Sequence, residues 1–271
     1  MPFVTSRSLS PRLLSPRILL VLLVAGFLAV ASGQAGLKIY YLRHAESGAN
    51  VAKAWENKPA ADRPAYVGNA GAFSPRGEKQ AAAVPAKLAP YSFDFIAVSP
   101  LWRTRHTILP YLQATGRHAE IWPELAEFGR KDGDQTLIAT PRLPAPRPDL
   151  LRGGRRVVLP EKEKNWFTLR DDNLTEPHLG RSGAEGAADL TALIESAIAR
   201  VKAQADTGEK PASILLVGHG TAGKYFLWRL TGDRRAVERG LANTGLWMAE
   251  QQPDGRFKLM LADGRPLAPA P

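Results

Sequence analysis

The stretch LKIYYLRHAESGAN, residues 37–50, decides how the rest of this 271-residue chain is read. Leu37 to Leu42 is a largely apolar run of strand length, the pattern of a strand buried on both faces. It ends abruptly in Arg43, His44 and Glu46, so a permanent cation and an imidazole stand side by side at a strand end. In an open parallel sheet, ligands bind outside the carboxyl ends of strands. Arginine beside histidine suits gripping and attacking a phosphoryl group.

Further along the chain, the same strand-then-helix alternation recurs. Residues 48–72 are rich in Ala, Gly, Pro and Asn and read as a long loop with one helical turn near Val51 to Trp55. Ser74-Pro75 then supplies an N-cap and a first-turn proline for a helix to Val84, which Pro85 should kink or end. FDFIAVS, 93–99, is a second strand, Leu101 to Thr115 its helix, and Ala119 to Trp122 a short third strand. SILLV, 213–217, is a buried strand, followed by Gly218-His219-Gly220 and a helix from Thr221 to Leu230. Two closing strands, Gly245 to Glu250 and Phe257 to Leu261, turn at Asp254-Gly255. Between these lie an amphipathic helix opened by Ser182 and Glu185 as a capping box, with Leu190, Leu193, Ile194, Ala197, Ile198 and Val201 as its apolar face. The expected fold class is α/β, a three-layer sandwich with a mostly parallel sheet covered on both faces.

Three segments fall outside that frame. Residues 1–35 carry Arg7, Arg12 and Arg17, then the apolar core ILLVLLVAGFLAV, 18–30, then small residues, which is the layout of a signal peptide. Thirteen residues are short for a span of about 20, so a secreted or periplasmic protein is expected, with an N-terminal membrane anchor as the alternative. Residues 130–181, with four prolines between 141 and 148 and a basic run after them, read as a solvated insertion in a domain spanning 36–265. Residues 266–271 read as a disordered tail. The net charge of +10, or +7 without the leader, suits anionic partners without choosing among them, and zero cysteines exclude disulfides and thiolate chemistry.

Four strand ends carry conspicuous polar residues: Arg43-His44, Arg103, Glu127 and His219. The topology brings such ends to one edge. Two histidines, two arginines and one carboxylic acid match phosphoryl transfer, in which catalysis is mostly positioning and charge stabilisation. Neutral histidine can attack phosphorus, arginine can hold the equatorial oxygens, and a carboxylic acid can protonate the leaving oxygen and then activate water. On composition alone Arg105 competes with Arg103 and Glu124 with Glu127; Arg105 is expected to face solvent, and Glu46 to hold the loop by hydrogen bonds.

These residues resemble the histidine phosphatase superfamily, in its phosphoglycerate mutase-like branch. Arg43-His44-Ala45-Glu46-Ser47 with Asn50 is similar to the family's Arg-His-Gly-Glu-Ser opening and downstream Asn. SPRGEKQA, 74–81, is similar to its helix-start element, and Ser99-Pro100-Leu101-Trp102-Arg103-Thr104 with Thr107 to the element bearing the second phosphate-binding arginine. Leu125-Ala126-Glu127 with Gly129 matches the proton-donor position, and Val217-Gly218-His219-Gly220 the second histidine. Ala45 replaces the usual Gly, and Gly218 stands where Ser is common.

The resemblance implies a phosphoglycerate mutase-like fold and a phosphatase that hydrolyses phosphomonoesters through a phosphohistidine on His44. It makes Glu127 the proton donor, places Arg43, Arg103, His219 and Asn50 around the phosphate, and requires no cofactor and no metal. The expected partner is a small phosphorylated substrate, with no nucleic acid and no membrane span after signal cleavage. Mutase-type phosphotransfer and a non-catalytic anion-binding protein are the alternatives.

Overall fold

The computed structural model describes residues 36–127, 156–171, 183–206 and 213–268. The expected signal peptide, most of the 130–181 insertion, Ser182 of the capping box and residues 269–271 lie outside the described residues. Among the described residues no helix is long and apolar enough to cross a membrane.

One sheet organises the domain. Its strands are β1 (Lys38–Arg43), β2 (Phe95–Val98), β3 (Ala119–Ile121), β4 (Phe167–Thr168), β5 (Ser213–Gly218), β6 (Leu246–Gln251), β7 (Phe257–Ala262) and β8 (Arg265–Pro266), in the spatial order β4-β3-β2-β5-β1-β6-β7-β8. The five strands from β4 to β1 are mutually parallel, and β6, β7 and β8 extend the β1 edge antiparallel. In register, Arg43 lies opposite Gly218, so the residues that follow β1 and β5 leave the sheet together.

Alternating side chains bury both faces, as a two-residue strand repeat demands. Ile39 and Tyr41 of β1, with Ile214 and Leu216 of β5, join one apolar cluster with Ile194, Phe226 and Trp247. Tyr40 and Leu42, with Leu215 and Val217, join the other with Val84, Leu88 and Ile108. The helices divide accordingly. A single turn α1 (Gly48–Val51) follows β1, and α2 (Pro75–Ala82), α3 (Val84–Leu88) and α4 (Trp102–Thr115) come before β3; α5 (Gly183–Ala205), α6 (Gly220–Thr231) and α7 (Arg235–Arg239) come after β4. The chain is thus an α/β three-layer sandwich, as the alternating sequence predicts.

Local signals act where the sequence places them. Ser74 caps α2 by accepting a 3.0 Å hydrogen bond from the Gly77 amide, and Pro85 sits in the first turn of a separate helix, α3. Two expectations need correction. Within the stretch read as a solvated insertion, residues 156–171 pack against the domain: Val157, Leu159 and Phe167 are buried, and β4 pairs in parallel with β3. At the end of the chain, β8 pairs with β7 and the Leu267 amide donates to the Met260 carbonyl at 2.9 Å. Pro266 therefore belongs to the sheet and Leu267 is tied to it, held by backbone bonding that composition does not reveal.

Candidate active site

A cavity of about 340 Å³ opens beyond the carboxyl ends of β1, β2 and β5. Arg43, His44, Arg103, Glu127 and Asn50 all line it, along with Ser47, Thr221, Lys224 and the Gly240-Leu241 backbone. Residues up to 198 positions apart in sequence, Arg43 and Leu241, are brought to this edge by the fold.

His44 follows β1 directly and is 3% exposed. Its Nδ1–H donates to the Ala45 carbonyl at 2.6 Å, which leaves Nε2 with its lone pair; that nitrogen accepts from Arg103 Nε at 3.2 Å. Burial, reinforced by the Arg103 charge and then by Arg43, pushes the imidazole down to about 3 from its ordinary 6.5, against the opposing pull of the Ala45 carbonyl. The ring is neutral at physiological pH, with the tautomer set by its two partners.

The loop that carries His44 is braced from four sides. The His44 amide donates to Gly218 O at 2.9 Å, and Asn243 Nδ2 donates to His44 O at 2.9 Å. The Ala45 amide donates to Thr107 Oγ1 at 2.8 Å, and that hydroxyl donates in turn to Arg103 O at 2.6 Å, so one threonine ties the nucleophile loop to the arginine's own turn. Gln80 Oε1 accepts from the Glu46 amide at 2.8 Å, while the Glu46 carboxylate accepts from Ser74 Oγ at 2.6 Å. Glu46 thus holds the loop as expected. Gly77 is required here, because a Cβ would lie 1.9 Å from the Glu46 carbonyl.

Arg43 and Arg103 are both half-buried, and burial pulls each guanidinium down while the Glu127 carboxylate pulls it back up. Arg43 donates to the Leu241 carbonyl at 2.5 Å, fixing it against the far wall. Glu127 comes from the segment after β3 and lies across the start of α6: the Thr221 amide donates to Oε2 at 3.0 Å and the Ala222 amide to Oε1 at 3.2 Å. A helix start with free N–H groups is a natural carboxylate anchor. Asn50 Oδ1 accepts from the Ser47 amide at 2.9 Å and from Ser47 Oγ at 3.1 Å, which closes the turn of α1.

His219 is fully buried and stands behind His44, with ring centroids 5.1 Å apart; it does not itself line the cavity. Burial, then the charges of Arg103 and Arg43, hold it well below 6.5, so it too is neutral. Its Nε2 lies 2.8 Å from Ser99 Oγ, and its Nδ1 has no partner among the described residues. Tyr41 clamps its backbone: the His219 amide donates to the Tyr41 hydroxyl at 3.0 Å, and the hydroxyl donates to His219 O at 3.3 Å. That clamp explains Gly218. A Cβ there would lie 2.1 Å from the Tyr41 oxygen, so the tyrosine hydroxyl occupies the space that a side chain at 218 would need.

The two rejected competitors are elsewhere. Glu124 is buried with Oε1 held by Arg170 Nη1 at 3.0 Å, away from the cavity. Arg105, expected to face solvent, is buried instead: its Nε donates to Glu163 Oε2 at 2.7 Å and it also bonds the Pro100 carbonyl. Glu163 meets His106 Nε2 at 3.1 Å as well. A buried guanidinium is tolerable only when paired, and its partner lies 58 positions away in the 156–171 segment. Lys224, Tyr41 and Asn243 carry no motif signal and become visible only through the fold. Among the described residues no group of three or more His, Asp or Glu is placed to hold a metal ion.

Residues 39–165 match the model of the histidine phosphatase superfamily, branch 1. That stretch, just under half of the chain, is similar to this superfamily. The fold of the chain agrees with that of solved phosphatases at low identity. The alpha-ribazole phosphatase of Shigella flexneri is 18% identical, with 87% of this chain and 100% of that one covered at a TM-score of 0.51. A mycobacterial glucosyl-3-phosphoglycerate phosphatase is 19% identical, with 84% and 98% covered at 0.50. No curated protein matches the sequence.

Proposed function

We propose that the chain is a phosphomonoesterase that works through a phosphohistidine on His44. The observation that carries this reading is the state of His44: a buried, neutral imidazole on the cavity wall, beside two guanidinium groups, whose Nε2 accepts from Arg103 and is not protonated. The similarity of residues 39–165 to the histidine phosphatase superfamily supports the same reaction class.

In the first step Arg103 gives up its bond to His44 Nε2 in favour of the phosphoryl oxygens, and the freed lone pair forms a bond to phosphorus as the bond to the leaving oxygen breaks. Arg43 and Arg103 take the charge of the equatorial oxygens, which is largest in the transition state. Glu127, in its acid form, gives its proton to the departing alkoxide. An incoming dianion beside this carboxylate repels its charged form and so favours the protonated one. His219 stands behind His44 and outside the cavity lining, so it takes no direct part in these steps. In the second step Glu127 takes a proton from water, the hydroxyl attacks phosphorus, the P–N bond breaks, and inorganic phosphate leaves with His44 restored. Water as the final acceptor distinguishes this reading from a mutase.

Export from the cytoplasm is part of the proposal and rests on the sequence of residues 1–35. The test is phosphate release from a panel of phosphomonoesters by the wild type and by His44→Ala. The variant should lose several orders of magnitude in kcat; equal rates would overturn the reading.

A further inference from the structure

The turn that leads into β6 is bonded to the nucleophile's own backbone, and the steps above make no use of it. Ala242 O accepts from the Gly245 amide at 2.8 Å, closing a four-residue turn with Asn243 and Thr244 at its centre. Asn243 Nδ2 donates to His44 O at 2.9 Å. The Thr244 amide is shared between Arg43 O at 3.1 Å and His44 O at 3.4 Å, and Gly245 O accepts from the Arg43 amide at 3.2 Å.

Thr244 holds an uncommon conformation there. Its φ is 53°, in the left-handed region, and it is 3% exposed. A positive φ at the third residue of a turn suits Gly or Asn; for a β-branched residue it is a genuine outlier. Among the described residues the other non-glycine residue of positive φ is Asp263, at 47°, which with Gly264 forms the two-residue turn between β7 and β8, where Asp-Gly is the expected pair. That explanation does not extend to threonine, but its side chain supplies one. Thr244 Oγ1 donates to Asn243 O at 2.8 Å and accepts from Lys87 Nζ at 3.1 Å, while Thr244 O accepts from the same ammonium at 2.6 Å. Lys87 comes from α3, 157 positions earlier. Burial pulls its ammonium below the ordinary lysine range, and the Asp263 carboxylate pulls it back up.

What this turn holds is the peptide group between His44 and Ala45. Its oxygen is fixed by Asn243 and its N–H by Thr107 Oγ1 at 2.8 Å. The imidazole hangs from the same unit and is tied by Nδ1 to the next carbonyl, so rotation of the peptide would move Nε2. Attack on phosphorus depends on where that nitrogen stands, and a displacement of about 1 Å can cost about 100-fold in rate. Strain kept at a buried residue beside reacting groups is a mark of such positioning.

We propose that Asn243 and Lys87 are positioning residues for the nucleophile: Lys87 holds Thr244 in its left-handed conformation, and the turn so held presents the Asn243 amide and the Thr244 N–H to the backbone of Arg43 and His44. This rests on the phosphatase reading, with His44 as the attacking group. Neither residue lines the cavity, so both act through His44 and not on the ester.

The test measures kcat and KM on 4-nitrophenyl phosphate, with thermal unfolding alongside, for the intact chain, Lys87→Met, Asn243→Ala and the double variant, at a temperature where each is folded. Each single variant should lower kcat about tenfold and leave KM within about twofold, because binding of the ester is untouched. Since both act through one turn, the double variant should lose less than the product of the two single losses. A kcat within about twofold of wild type in either folded single variant, a loss carried by KM, or losses that multiply in the double variant overturns the positioning role while leaving the phosphatase intact. Should one single variant fail to fold, the other decides by the same criterion. A wild type that neither releases phosphate nor takes label on His44 defeats the phosphatase reading and the positioning role with it.

Discussion

Replacing Glu163 by glutamine should destabilise the fold by roughly 3 kcal/mol at pH 7, and the deficit should shrink as the solution is made acidic. The carboxylate is 5% exposed at its side chain and bonds both Arg105, at 2.7 Å, and His106, at 3.1 Å. Removing one member of a buried ion pair costs about 3–5 kcal/mol, because the other is left charged and unpaired. A second route gives a similar figure. Burial would raise this carboxyl, but the His106 and Arg105 contacts outweigh it and hold it at about 2 against its ordinary 4.5. At about 1.4 kcal/mol per pKa unit the difference amounts to roughly 3 kcal/mol. Since the folded-state value is the lower one, the contribution is complete above about pH 4.5 and is lost as the pH falls toward 2. Denaturant unfolding of wild type and Glu163→Gln across pH 7 to 2.5 measures this directly. A gap below about 1 kcal/mol at pH 7, or a gap that does not narrow below pH 4.5, would refute the reasoning. Because Arg105 follows Arg103 by two residues on α4, the same variant should also lower kcat/KM.

Two further outcomes are expected. Gly218→Ser should destabilise the protein by about 1–3 kcal/mol, since its Cβ would sit 2.1 Å from the Tyr41 hydroxyl, and in a Tyr41→Phe background, which removes that oxygen and keeps the ring, the same substitution should cost less in thermal unfolding. The pH profile of kcat/KM should show no acid limb from His44 until about pH 3, where the imidazole gains a proton and ceases to be a nucleophile; a limb near 6.5 abolished by changing the surroundings of His44 would contradict its buried, neutral state.

Much of this was legible in the sequence because the signals were local and repeated. Strand-length apolar runs, each followed by a polar residue of distinctive chemistry, place His44, Arg103, Glu127 and His219 at one sheet edge once the sheet is parallel. Capping chemistry at Ser74 and the break at Pro85 are equally local. The pairing of Arg105 with Glu163 was not, since a buried guanidinium and a solvated one look alike until the partner 58 positions away is in place. Glu163 itself sits in a charged run whose neighbours Glu161 and Lys164 are exposed, so its burial follows only from the parallel pairing of β4 with β3. Gly218 read as a departure from the family pattern, and Tyr41 as a core aromatic. The fold joins them, because the tyrosine hydroxyl takes the space beside Gly218 and holds the His219 backbone. Lys224 has no motif of its own; a lysine at one turn's spacing on a helix reads as surface until the cavity is seen.

The most direct test of the account is to trap the intermediate. Brief incubation with a radiolabelled phosphomonoester, rapid alkaline denaturation and peptide mapping should place the label on His44, with none in His44→Ala. An active preparation that releases phosphate while His44 carries no label would contradict the mechanism.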